Sequence, residues 1–301
     1  MKRLYLHILL LVAAVTGFVS CAEEDVEVKV HDICSFFEPA PDDNSEEAQI
    51  RRAFREKYHS FLLFNDTIQR SYVGLDINGD PYYDIETLGI DYTVGQGSYA
   101  GNKYSYIIHT EMDDKKEGLE FVETYLLPHI TGNLQPFSWF VCKQINFTDT
   151  EGKPASHPYA AVGQRCVAVS TGVLSKLKTD AQRAKVVESC LLAMLGPMLK
   201  NHESELSRFY SLTTAGNLAT IGASTEADAT AVARRHGYLG IVRSNWGSFQ
   251  TPSRETDTNQ FASYLLQYDD EYMEQNFADY PLILRRWYVF KEILAEIGWV
   301  N

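Results

Sequence analysis

"AKVVESCLLAMLGPMLKNHESEL", Ala184 to Leu206, reads as one amphipathic helix, a Gly-Pro break and a short His-Glu string. Ala184, Val187, Leu191, Met194, Leu195 and Met198 recur at three- and four-residue spacing and form one apolar stripe. Thr179-Asp180-Ala181-Gln182 is a capping-box pattern that starts the helix, and Gly196-Pro197 is expected to end it. A zinc hydrolase carries a His-Glu-x-x-His helix because histidines four apart turn both imidazoles toward one metal. Residues 181–199 contain no histidine. His202-Glu203 begins like that motif, but position 206, where the second histidine belongs, is Leu. Glu205 offers an oxygen and His236 lies downstream, so His202, Glu203 and His236 form an alternative zinc set; the competing reading is solvated surface.

Working outward, the pattern predicts an α+β chain. Ile50, Phe54, Tyr58 and Phe61 mark a helix over 46–61, with Ser45 able to cap it. Strands are expected at 61–64 and 103–109, and in "FSWFVCKQI" and "QRCVAVS". Helices are expected at 115–129, 226–236, 258–268 and 279–297. The first half is therefore mixed αβ and the part after 178 is mostly helical. No Pro/Ser-rich linker follows residue 47, which favours one domain over 48–301.

The beginning of the chain reads as an address. Lys2 and Arg3 precede an apolar run, Leu4 to Val15, that is too short for a comfortable membrane span. Gly17-Phe18-Val19-Ser20-Cys21 resembles a lipobox, with Phe18 in place of the usual Leu. This predicts a lipoprotein signal over 1–20, lipidation of Cys21, and membrane contact only through that anchor. Ala22-Glu23-Glu24-Asp25 resembles the surface-export signal of Bacteroidetes lipoproteins. Residues 21–47 are expected to be an acidic flexible tether.

The chain has 301 residues and a formal charge of −13, and removal of Lys2 and Arg3 makes it more negative. That balance argues against nucleic acid, which needs a basic footprint, and against a basic face for anionic lipid. With 45% hydrophobic residues a sizeable core needs no outside support. Cys34, Cys142, Cys166 and Cys190 form no C-x-x-C pair and sit mostly in apolar settings, as buried thiols do. A disulfide is permitted by the compartment.

Other local patterns are weaker. "DINGDPYYD" at 76–84 starts like a calcium loop but has Pro81 where Gly belongs and Thr87 where Glu belongs; a turn at Asn78-Gly79 is expected instead. Gly95, Gly97 and Gly101 lack dinucleotide spacing. There is no G-x-S-x-G elbow. Tyr82, Tyr83, Tyr92, Tyr99, Tyr104 and Tyr106 are either a platform for sugars and partners or alternate residues lining strands.

Several stretches together resemble a family of Bacteroidetes lipoproteins, the substrate-import-associated zinc metallohydrolases, which are zinc-binding metallopeptidases found beside importers of the starch-utilisation type. The stretches are "LEFVETYLLPHI", "YAAVGQRCVAVS", "SCLLAMLGPM", "GYLGIVRSNWGSFQTPSRETDTNQFASYLLQY" and "RRWYVFKEILAEIGW", in that order, covering the layout of residues 48–299. The family carries a motif like "HHEFAHILHQ" and later one like "GFVSxYAxSxxNEDFAE". The resemblance implies a zincin-like fold. It places Ser189 and Ala193 at the two zinc histidines, Cys190 at the general-base Glu, and Ser263 at a later acidic position. Catalytic zinc needs three protein ligands, an open position and a carboxylate to take the proton, which this set does not supply.

The resemblance therefore implies a degenerate, non-catalytic outer-membrane lipoprotein with no cofactor. It would act as a pseudoenzyme or accessory component in nutrient import, meeting importer subunits and a glycan or peptide ligand. The face of helix 180–195 is the implied site, with Tyr238, Trp246 and Phe249 as rim residues or as core. The alternative is an active zinc-dependent hydrolase built on His202, Glu203 and His236.

Overall fold

A computed structural model describes residues 37–88, 103–148, 153–163 and 165–300, which lie in one unit, Phe36–Asn301. In chain order, α1 (Glu46–Tyr58) leads into β1 (Phe61–Leu63) and the hairpin β2 (Thr67–Leu75) and β3 (Pro81–Thr87). β4 (Lys103–Ile107), α2 (Met112–Phe121), β5 (Ser138–Cys142), β6 (Gln144–Thr148), β7 (Pro154–Ser156), β8 (Ala160–Val162) and β9 (Cys166–Ser170) follow. The second half holds α3 (Asp180–Leu199), α4 (Glu203–Tyr210), α5 (Glu226–Arg235), the short pair β10 (Val242–Arg243) and β11 (Phe249–Gln250), α6 (Arg254–Gln267), α7 (Asp270–Asn276) and α8 (Pro281–Ile297).

The main sheet runs β1-β5-β9-β8, with β1, β5 and β9 parallel and β8 antiparallel to β9. β1, β5 and β9 are buried along their whole length, as strands covered on both faces must be. Their side chains alternate between two cores. Leu62, Trp139, Val141, Val167 and Val169 face the helices. Phe61, Leu63, Phe140, Cys142, Cys166 and Ala168 face the other side, where Tyr104, Tyr106 and Ile145 of a second sheet, β4-β6-β7, complete the layer. Tyr104 and Tyr106 are thus strand-lining residues, while Tyr82 on β3 is exposed.

Several boundaries differ from the sequence expectation. The folded body begins earlier than 48. Phe37 is buried against Phe61 and Phe137, and Arg51 Nη2 donates to its carbonyl at 2.7 Å. Residues 37–47 therefore belong to the body and not to a tether. The signal, Cys21, Cys34, Tyr92, Tyr99 and the glycines at 95, 97 and 101 lie outside the described residues. The helix expected over 115–129 divides into α2, a π-helical turn (Val122–Leu126) and a 3-10 turn (Leu127–His129).

The Gly-Pro break does not end the helix. Thr179 Oγ1 accepts the Gln182 amide at 3.2 Å, as the capping pattern predicts, but α3 runs on through Pro197 to Leu199. Met194, Leu195, Met198 and Leu199 are all buried, and their packing holds the last turn against the hydrogen bond that proline forfeits. Glu203–Leu206 opens α4, with His202 at its N-cap position, and the helix buries Leu206 and Phe209. The Asn78-Gly79 turn is present: Gly79 has φ of 85°, and Asp76 Oδ1 accepts the Asn78 and Asp80 amides at 2.8 and 2.9 Å. No helix among the described residues is long and apolar enough to cross a membrane.

Candidate functional site

The stretch that decides the fold also lines two grooves of the helical half. α3 packs beneath β8 on one side and against α6 on another. Its 3.6-residue period sorts the remaining positions onto two faces flanking α6.

The first groove, about 450 Å³, is lined by Ser189, Leu192, Ala193, Gly196 and Pro197 of α3 and by Glu255 and Asn259 of α6. Ser189 and Ala193 therefore do share one wall, as a pair four residues apart must. Cys190 does not join them. It is fully buried, with Sγ 3.8 Å from the Tyr159 carbonyl oxygen, and burial pushes its thiol up to about 12. Ser263 lies a turn further along α6, where its Oγ accepts Gln267 Nε2 at 3.2 Å, and it does not line this groove.

Zinc does not fit these groups. Ser189 Oγ donates to the Lys185 carbonyl at 2.7 Å, Ala193 has only a methyl, and Asn259 offers a neutral amide. Glu255 is 2.8 Å from Lys200 Nζ. One carboxylate among an alcohol, a methyl and an amide is not a donor set for zinc.

The second groove is larger, about 770 Å³. Ala184, Val187 and Leu191 of α3 form one side, Leu265, Leu266 and Tyr268 at the end of α6 another, and Trp287 of α8 the floor. Ala184 is exposed on this wall, which removes it from the buried stripe expected of it. Tyr125 enters from the π-helical turn. That local widening of a helix is a recurrent feature of functional sites. Trp299 adds to the lining. Gly298 turns with φ of 112°, and Trp299 folds back to stack on His129, with centroids 5.4 Å apart.

Polar groups converge on this apolar bed. Lys291 Nζ donates to both oxygens of Asp270, at 2.7 and 2.8 Å, and Trp287 Nε1 donates to the same carboxylate at 2.7 Å. These donors, Lys291 foremost, hold the Asp270 carboxyl below its ordinary value. Glu188 Oε1 accepts Gln267 Nε2 at 2.6 Å. Asp269 caps α7 by accepting the Tyr272 amide at 2.8 Å. Tyr268 stacks on Tyr272 with ring planes 10° apart. Asp180 and Arg183 complete the rim.

The remaining sequence-derived residues fall elsewhere. Of the two readings of Tyr238, rim or core, the structure has core: it is fully buried, and its hydroxyl donates to the Ala215 carbonyl at 2.9 Å. Phe249 packs beside it in a small satellite core and lies under Arg243. Trp246 is 94% exposed on the β10–β11 turn and lines neither groove. His202 pairs with Glu205 at 3.3 Å, Glu203 with Arg254 at 3.5 Å, and His236 Nδ1 with Thr214 Oγ1 at 2.8 Å. The structure does not gather His202, Glu203 and His236, and among the described residues no group of three or more His, Cys, Asp or Glu is arranged to hold a metal ion.

The second groove leaves only faint marks in the sequence. Trp287 and Lys291 stand four apart on one helix face, and Asp269-Asp270 is a visible cap pattern. Those were the available signals. Their meeting with Ala184–Leu191 is a tertiary fact. Comparison with protein-family models, curated proteins and solved structures finds no match to this chain.

Proposed function

We propose that this chain is a non-catalytic ligand-binding lipoprotein of the outer membrane, exposed at the cell surface, with a degenerate zincin-like domain related to the zinc-binding metallopeptidase lipoproteins. It serves as an accessory component of nutrient import and presents a glycan or peptide ligand to importer subunits. The observation that carries the binding reading is the second groove. Its floor is apolar and aromatic, its rim holds a few convergent polar groups, and its volume suits a small ligand or one segment of a larger one.

What supports the non-catalytic half of the reading is the first groove. Serine and alanine stand on the wall where the resemblance calls for histidines, and the neighbouring thiol is turned into the core. The test combines capture with product analysis. The mature protein is incubated with mixed oligosaccharides and mixed peptides, and retained compounds are weighed by mass spectrometry. Retention of intact compounds is expected. Accumulation of hydrolysis products that scales with protein and is lost in His202→Ala would restore the zinc hydrolase alternative.

A further inference from the structure

The polar rim of the second groove is not balanced in charge. Asp180, Glu188 and Asp269 all line it, and none has a Lys, Arg or His nitrogen within 4.0 Å among the described residues. Asp270 is the one rim carboxylate that Lys291 neutralises. Arg183 is the remaining cation, and it lies over the Tyr125 ring at 6.0 Å from the centroid. Uncompensated rim carboxylates disfavour an anion and favour a cation, most of all at half-buried Glu188, where the apolar walls weaken solvent screening; Asp180 and Asp269 are exposed and add to the negative rim. A ring face attracts an ammonium or guanidinium group through its quadrupole, and two faces of this groove already hold the protein's own cations: Arg183 over Tyr125 at 6.0 Å and Lys291 over Trp287 at 5.9 Å from the centroids. One face of Tyr268 is taken by Tyr272, at 3.8 Å between centroids, which holds the ring in place as a wall.

Resting on the reading that this groove is the ligand site, we propose that it takes an organic cation: an ammonium or guanidinium group joined to an apolar body. The charge sits at the acidic rim, beside Glu188, and the body lies along the apolar bed that Leu191 and Trp287 line. Such a group occurs as a basic side chain on a peptide and as a free alkylamine.

The test uses calorimetric titration of the mature protein with three probes. They are an acetylated, amidated Ala-Leu-Lys-Phe-Ala peptide, the same peptide with norleucine for lysine, and hexylammonium. The lysine peptide is expected to bind about tenfold more tightly than the norleucine peptide, and less tightly in about 0.5 M salt than at low salt. Asp180→Asn, Glu188→Gln and Asp269→Asn combined should remove that preference. The replacements keep the hydrogen-bond acceptors that serve Gln267 and the α7 cap, and an unchanged melting profile verifies the fold. Binding of hexylammonium as well points to free amines; binding of the lysine peptide alone points to a peptide.

Equal binding of lysine and norleucine peptides, or no binding of either amine, overturns the cation assignment. Ala184→Trp fills the groove without altering its charge. If the lysine preference survives in that variant, the groove itself is not the site, and the binding reading falls with the cation assignment.

Discussion

Arg286 of α8 and Asp257 of α6 form an ion pair from which solvent is wholly excluded, with Nη2 2.5 Å from Oδ2. The guanidinium also donates to the Gly237 carbonyl at 2.6 Å and lies 3.9 Å from the Phe209 ring centroid and 4.8 Å from that of Phe261. This pair ties α8, which supplies the groove floor, to α6, which supplies its wall. Arg286→Met leaves the Asp257 carboxylate buried and unpaired and is expected to cost about 3–5 kcal/mol. Arg286→Met with Asp257→Leu should cost less than either single change. Urea unfolding of the three variants measures this directly.

Two helical glycines separate a rigid contact from a yielding one. A methyl at Gly118 would lie 2.5 Å from Val141 Cγ1 and 2.7 Å from Thr171 Oγ1, both on stiff β-branched side chains. Gly118→Ala should therefore destabilise by roughly 1–3 kcal/mol, despite a helix-propensity gain of about 1 kcal/mol. A methyl at Gly196 meets first the Asn259 carboxamide oxygen, at 2.5 Å, the far end of a side chain that can swing into the first groove. Gly196→Ala should lie much closer to neutral, and paired thermal melts distinguish the two.

Burial sets the behaviour of His109. Its Nε2 lies 2.8 Å from Thr171 Oγ1, and its Nδ1 is 3.7 Å from Asp114. Desolvation pulls its imidazole below the ordinary value, although Asp114 opposes that shift and Lys143 adds to it. The unfolded chain therefore takes up the proton first as pH falls. The stability contribution is complete above about pH 6.5 and is lost as pH drops toward the folded value. His109→Gln should flatten unfolding free energy across that window, as measured by denaturation between pH 5 and 7.

Cys142, Cys166 and Cys190 are free and buried, with thiols pushed up to about 12 by desolvation. The thiolate is the reactive form. These three thiols should resist iodoacetamide in the native protein near neutral pH and react together once urea unfolds it. Peptide mapping after timed labelling reads the outcome.

How far the sequence foretold this molecule depends on the distance over which each signal acts. Caps and turns were legible because their partners are three or four residues away: Ser45, Thr179 and the Asp76 turn all form as their patterns imply. The apolar strands were legible because burial on both faces leaves an uninterrupted run. Pro197 misled because its local cost is opposed by four buried side chains that only the packed domain provides. Ser189 and Ala193 were legible as a pair through helical spacing alone. The aromatic groove was not, because Tyr125, Leu191, Trp287 and Trp299 meet only after three separate segments pack. Tyr238 was left between rim and core for a related reason: a tyrosine can be wholly buried when its hydroxyl finds a carbonyl, here that of Ala215, and only the packed domain shows that it does.

The most direct test of the central claim compares the wild-type mature protein with Ala184→Trp on one array carrying oligosaccharides and peptides. Ala184 is exposed on the groove wall, so the substitution blocks the groove without disturbing the core. The account predicts that the wild-type protein retains at least one class of ligand, releases it chemically intact, and loses that retention in the variant. Equal retention by both proteins, or recovery of cleaved ligand from the wild type, would contradict it.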